Sequence, residues 1–161
     1  MSLVVREAVP SDIPAIKTMM REFADYLNAI DEPEEVPDAV LDRIGALAFG
    51  PDKLCTALIG DVFGRPAGYL LYFTGIFTDP MTPVVFVADL FVSEAYRRAE
   101  VGSALMHRTR EIARDRAANQ VVWTVWRKNP KAVAFYKALG AREFDEEILM
   151  TWPVIPVTPA G

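Results

Sequence analysis

Residues 3–7, apolar from Leu3 to Val5 and then charged at Arg6 and Glu7, read as a short strand. A helical period begins after Pro10. Ile13, Ile16, Met20, Phe23, Ala24 and Leu27 recur at helical spacing and mark the buried face of a helix. Ser11 is its expected N-cap, Pro14 is tolerable in its first turn, and it should end near Ala29. An acidic loop punctuated by prolines follows at residues 31–38, then an expected helix over 37–48 and a turn at Gly50, Pro51 and Asp52. Residues 54–60 and 66–74 read as a hairpin through the turn 61–65. After a loop near 78–80, residues 84–92 are strongly strand-like. Residues 102–118 read as a helix with Leu105, Arg108/Thr109 and Ile112 on one stripe. A strand at 120–126 and a helix at 130–139 come next, then two closing strands, 141–144 and 148–152, joined by an acidic turn. The tail 153–161, with Pro153, Pro156 and Pro159, is expected to hang free or lie along a partner. The order β-α-α-β-β-β-α-β-α-β-β, without repeat or linker, makes residues 1–152 one mixed α/β domain.

Composition narrows the class. A chain of 161 residues, 52% hydrophobic and 24% charged, is long enough for one domain with a real core. Seventeen basic against 22 acidic residues give a net charge of −5, which argues against nucleic acid and is compatible with a cationic substrate. The single cysteine, Cys55, permits no internal disulfide, fits a reducing cytoplasm and reads as a small buried hydrophobe. The first residues lack the basic-then-apolar pattern of a signal peptide, and no apolar run reaches the ~18 residues of a membrane span. His107, the only histidine, reads as solvent-facing, so no metal site is expected.

Two strand-to-helix joints carry the chemistry. The stretch from Tyr96 to Leu105 leads from an apolar strand into a helix N-terminus, where anions bind. The run from Asn129 to Ala141 places the Tyr136 phenol at a fixed offset from the end of the next strand. An anion cradle and a phenol on adjacent strand-helix units suggest group transfer from a phosphate-bearing cofactor.

This order with these two motifs resembles the GNAT family of N-acetyltransferases, from Arg6 to Trp152. Within it, the stretches Gly68 to Thr74, Asp89 to Val92 and Phe135 to Lys137 look most like the small polyamine and diamine acetyltransferases. The resemblance implies a central mixed sheet of about six to seven strands with splayed middle strands, flanked by four helices. It implies acetyl-coenzyme A held between strands 84–92 and 120–126, its arm bonded to the backbone of Leu90, Phe91 and Val92. The diphosphate would meet the turn of Arg97, Arg98, Ala99, Glu100, Val101, Gly102 and Ser103. Tyr136 would donate to the leaving sulfur, a thiol having a reference pKa of ~8.5 and a phenol ~10. Asn129 would hold the cofactor arm or cap its helix.

The chain departs from the family pattern in three places. Glu100 stands at the first glycine of the diphosphate turn, and Ala99 stands where a basic residue is frequent. A carboxylate ~4 Å from a phosphate costs about 1 kcal/mol in water and about 4 at an intermediate dielectric. Either Glu100 swings into solvent, offset by Arg98, or the cofactor site is weakened. Related polyamine enzymes carry a carboxylate just before the position of Asp89, where this chain has Ala88. Asp89 then either binds or deprotonates the amine or pairs on the other face, since successive strand residues face opposite sides unless a bulge intervenes. The acidic loop is a solvated run or a cation-attracting rim, and Tyr26, Tyr69, Tyr72 and Trp126 are core or pocket residues. The expectation is an acetyl transfer to a small amine, of polyamine, diamine or lysine type, by a chain that forms a homodimer. The alternative is a catalytically weak or inactive acyl-coenzyme A binder that keeps the fold.

Overall fold

In the computed structural model, residues 2–78, 80–144 and 147–154 are described. Five strands form one sheet: β1 (Leu3–Glu7), β2 (Thr56–Val62), β3 (Arg65–Thr78), β4 (Met81–Val92) and β5 (Gln120–Trp123). They lie in sequence order, antiparallel from β1 to β4, with β5 parallel to β4. Only Phe63 and Gly64 separate β2 from β3, both with positive φ (51° and 75°), the conformation that a two-residue hairpin requires.

The two-residue period of the strands sorts side chains onto two layers. On one face, Ile59, Tyr69, Leu71 and Phe91 pack with Ile16 and Met19 of α1 (Ile13–Asn28) and Ile44 of α3 (Arg43–Phe49). On the other, Leu58, Leu70, Tyr72, Val85 and Val87 meet Val101, Leu105 and Met106 of α4 (Val101–Asp115). Phe135, Tyr136 and Leu139 of α5 (Pro130–Ala138) pack at the margin of that second layer. Gly60 and Gly68 lie beneath α4. A β-carbon on either would come within 2.7 Å and 3.0 Å of Val101 Cγ1.

Several expectations shift. A 3-10 turn at Pro10–Asp12 precedes α1, and Asp12 rather than Ser11 supplies the side-chain acceptor. Its carboxylate takes the Val9 amide at 2.8 Å and the Arg6 guanidinium at 2.7 and 2.8 Å. An ionised acceptor already held by an arginine outcompetes a hydroxyl. The helix expected over 37–48 breaks at Asp42 into α2 (Asp38–Leu41) and α3. His107 is exposed on α4, and Cys55 is half-buried just before β2.

The six to seven strands expected are five among the described residues. Residues 141–144 and 147–154 form no ladder, although they carry the apolar character of strands. Ile148, Leu149, Met150 and Trp152 are each more than three-quarters exposed. Strand propensity expresses packing against neighbours, and among the described residues Ile148, Leu149, Met150 and Trp152 have little to pack against. The expected acidic turn at 145–146 and the tail from 155 onward lie outside the described residues.

Candidate functional site

The pairing of β4 with β5 lasts four residues, from Val84↔Gln120 to Val87↔Trp123. β4 continues to Val92, bonded only to β3. Among the described residues its opposite edge from Ala88 onward has no strand partner. The splay lies between β4 and β5, the last strand of the described sheet, rather than in the middle of that sheet. A cleft of about 660 Å³ opens there, within the usual range for small-molecule sites.

At the point of divergence β4 carries a bulge. Leu71 opposes Asp89 and Tyr72 opposes Val87, so Ala88 has no counterpart. Val85 and Val87 face α4, whereas beyond the bulge Leu90 and Val92 take that face and Phe91 turns to α1. One extra residue thus aims Asp89 toward the α1 side. Its carboxylate accepts a 2.5 Å hydrogen bond from the hydroxyl of Tyr69, a fully buried residue on β3. Burial pushes the Asp89 carboxyl above the ordinary aspartate range, against the opposing pull of the Tyr69 hydroxyl and the Leu90 amide. Tyr69 itself is pushed well above the usual phenol value by burial and by the Asp89 charge.

Tyr136 enters the cleft from α5, its ring 4.9 Å from that of Trp123 and 5.1 Å from that of Phe135. Burial, and then the charge of Asp89, push its phenol up to about 12. It therefore holds its proton across the physiological range. Asn129 is buried at the N-terminus of α5, where its Oδ1 accepts from the Ala132 amide at 3.2 Å and from the Tyr26 hydroxyl at 3.0 Å. The cap is thus observed, and it doubles as a strut to α1.

The turn before α4 supplies the third wall. Glu100 is the residue before the helix and stands at φ 58°, ψ 9°, the left-handed region that favours glycine. Arg98 also has positive φ, 72°. The first bond inside the helix runs from the Ala104 amide to the Glu100 carbonyl, at 2.9 Å. The amides of Val101, Gly102 and Ser103 have no acceptor within the helix. All three residues line the cleft, as do Arg97, Arg98 and Glu100. A β-carbon on Gly102 would sit 3.2 Å from Phe135 Cζ, so that ring would have to give by a few tenths of an ångström.

The cleft gathers Asp89, Leu90, Phe91, Val92, Arg97, Arg98, Glu100, Val101, Gly102, Ser103, Asn129 and Tyr136. Ala99 is the one expected site residue outside its wall, and it packs toward the α4 core. A strand, a turn and a helix distant in sequence thus converge on one cavity. The sequence profile of the acetyltransferase (GNAT) family matches residues 16–141. The chain belongs to this family.

Relatives agree along nearly the whole chain. It is 29% identical over 153 residues to the thialysine N-epsilon-acetyltransferase of Sus scrofa, a match that covers 90% of this chain and 87% of that protein. It is 28% identical to an L-ornithine N5-acetyltransferase of Arabidopsis thaliana, over 87% of this chain and 57% of the plant protein. The crystal structure of a possible acetyltransferase from Clostridium difficile superposes with a TM-score of 0.79 at 18% identity, covering 96% of this chain and all of that one (100%), which speaks for the fold alone.

In this acetyltransferase, sequence reasoning left part of the acceptor side undecided. Tyr26 and Trp126 do line the cleft, whereas Tyr69 lies behind it as the partner of Asp89. Tyr72 faces the opposite layer, beneath the Arg116 guanidinium. Phe23, read only as part of the α1 stripe, reaches the cleft wall. Its position three residues before Tyr26 was the available signal. None of residues 31–38 lines the cleft. Asp31 pairs with Lys128 at 2.7 Å, and Asp38 pairs with Arg21. Among the described residues no cluster of three or more metal-ligating side chains occurs, and no helix is long and apolar enough to cross a membrane.

Proposed function

We propose that this acetyltransferase moves an acetyl group from acetyl-coenzyme A to a primary amine of a small molecule of the diamine, polyamine or lysine-like class. The observation that carries the reading is the convergence of Asp89, Tyr136 and the free amide end of α4 on one cleft where β4 and β5 part. Enzymes of this family use acetyl-coenzyme A as donor, and the residues present suit it. The unpaired edge of β4 at Leu90, Phe91 and Val92 offers main-chain groups to an amide-bearing arm. The amides of Val101, Gly102 and Ser103, with Arg97 and Arg98 beside them, suit a diphosphate. When bound, the donor supplies an activated acetyl thioester.

The chain's own residues do the rest. Asp89 accepts the proton that an alkylammonium must lose before its nitrogen can attack, and its raised pKa makes it a better base than an exposed aspartate. Tyr69 fixes the carboxylate through the 2.5 Å bond. Tyr136 holds a proton for the departing sulfur. Ala88 and the exposed rim leave room for a flexible acceptor. The relatives named for thialysine and ornithine acetylation support an aliphatic amine as acceptor. Cys55 without a partner cysteine suits a reducing compartment such as the cytoplasm.

Calorimetry with acetyl-coenzyme A, followed by free-thiol release with a panel of amines, tests this reading. Binding with amine-dependent thiol release is expected. Binding without release on any amine would replace the enzyme reading with that of a non-catalytic acyl-coenzyme A binder. The exposed apolar segment Ile148 to Trp152 suits association of two copies, and a monomer mass by light scattering would count against it.

A further inference from the structure

Four aromatic rings meet where α1 crosses the end of β4. Phe23 stacks on Phe91 with centroids 5.2 Å apart, Tyr26 lies 6.4 Å from Phe23, and Tyr69 lies 6.5 Å from Phe91. A cation already sits on this surface. The Arg97 guanidinium carbon is 4.9 Å from the Tyr26 ring centroid and 5.9 Å from that of Phe91. Among the described residues Arg97, an exposed side chain, forms no ion pair, and its guanidinium lies against these rings. Tyr26, Phe91, Arg97 and Asp89 all border the same cleft. Arg97 also belongs to the turn that offers its charges to a diphosphate.

We propose that Tyr26 and Phe91 form a cation seat that reads a second positive charge on the acceptor, and that Arg97 occupies this seat until an anion draws it to the turn. The inference rests on the amine-acetylation reading and adds the part of the acceptor remote from the reacting nitrogen. Asp89 and Phe91 share one face of β4 two residues apart, roughly 7 Å along the strand. That is the reach of a short alkyl chain. With the reacting nitrogen at Asp89, an acceptor carrying a second ammonium at the far end of such a chain places it over the rings. Ring faces attract ammonium through their quadrupole, most strongly where water is excluded. A monoamine of equal length lacks this charge–quadrupole attraction there.

The test compares diaminobutane with butylamine as acceptors. In Tyr26→Leu, the ratio of kcat/KM for the diamine to that for the monoamine should fall about five- to tenfold, on top of any loss the two amines share through the Asn129 bond. Tyr26→Phe keeps the ring and loses only the bond to Asn129, and it should retain the preference. An equal fall for both amines in Tyr26→Leu, or a Tyr26→Phe variant as impaired as Tyr26→Leu, would overturn the seat. A binding measurement stands apart from turnover. Without cofactor, Arg97→Ala should bind diaminobutane several-fold more tightly than the unaltered protein in NMR titration, because the seat is vacated. Unchanged affinity would refute occupancy by Arg97. Should no amine be acetylated by any variant, the proposed function falls, and the titration still decides whether the rings take a dication.

Discussion

Replacing Glu100 with glycine separates two effects that the sequence leaves entangled. The residue holds φ 58°, ψ 9° ahead of α4. A β-carbon in that region costs about 1–2 kcal/mol, and glycine removes the cost. Glycine also loosens the unfolded chain, which returns about 0.4–1 kcal/mol. The expected net gain is about 0.5–1 kcal/mol, a rise in Tm of about 1–4 °C for a chain of this size. The carboxylate is the second effect. It stands on an exposed residue that borders the cleft next to the free amides of Val101, Gly102 and Ser103. Repulsion of about 1 kcal/mol toward a bound diphosphate corresponds to about fivefold in affinity. Glu100→Ala removes the charge and keeps the β-carbon, so it should gain in affinity but not in stability. Urea unfolding of the three proteins, with calorimetric titration of acetyl-coenzyme A at low and high salt, reads both terms. The affinity gain should shrink as salt rises. A glycine variant that binds more weakly than the unaltered protein, or unfolds earlier, would show that the glutamate supports the turn.

Four further outcomes follow from the same geometry. Tyr136→Phe should lower kcat about a hundredfold with acetyl-coenzyme A affinity within about twofold; equal turnover would remove the phenol from the mechanism. Because burial pushes Tyr136 up to about 12, loss of its proton should not cause a decline in rate near pH ~10. Asp89 binds its proton more tightly folded than unfolded, so its contribution is full below the unfolded value of about 3.9 and is lost as pH rises through the higher folded value. Asp89→Asn should therefore be at least as stable as the unaltered protein at neutral pH, lose that advantage in acid, and release thiol at least about tenfold more slowly; a variant less stable than the unaltered protein at neutral pH would contradict this. Gly102→Ala puts a methyl 3.2 Å from Phe135 Cζ, a cost set against the gain of about 0.4–1 kcal/mol that alanine brings by restricting the unfolded chain; in urea unfolding the variant should fall short of that gain, and a Phe135→Leu background should recover it. No recovery in the double variant would place the cost elsewhere.

Much of this arrangement could be read before any coordinates. The helical stripe from Ile13 to Leu27 and the apolar run 84–92 have clear periods, and α1 and β4 stand where those periods place them. The two strand-to-helix joints pointed to the turn before α4 and to Tyr136, whose residue types have a local physical reason to be there, and both border one cleft. The orientation of Asp89 was not legible. It depends on the bulge at Ala88, which is a property of pairing with β3 and leaves no mark in the period of β4 alone. Tyr69 was equally hidden, because an aromatic in a buried strand reads as core until a carboxylate is found at its hydroxyl. The closing strands failed for the complementary reason. Residues 148–152 have strand composition, but composition does not supply an edge to pair with.

Gly60 and Gly68 allow Val101 to rest directly on the backbone of the sheet. The opening turn of α4 is consequently seated against the sheet, and sliding or tilting it would drive Val101 into that backbone. Little ordering remains to be done at that wall when a ligand docks, so its contribution to affinity is spent on selection by shape. Adaptation to different acceptors then falls to the opposite wall, where side chains of α1 and the segment after β5 can rearrange around a fixed donor array.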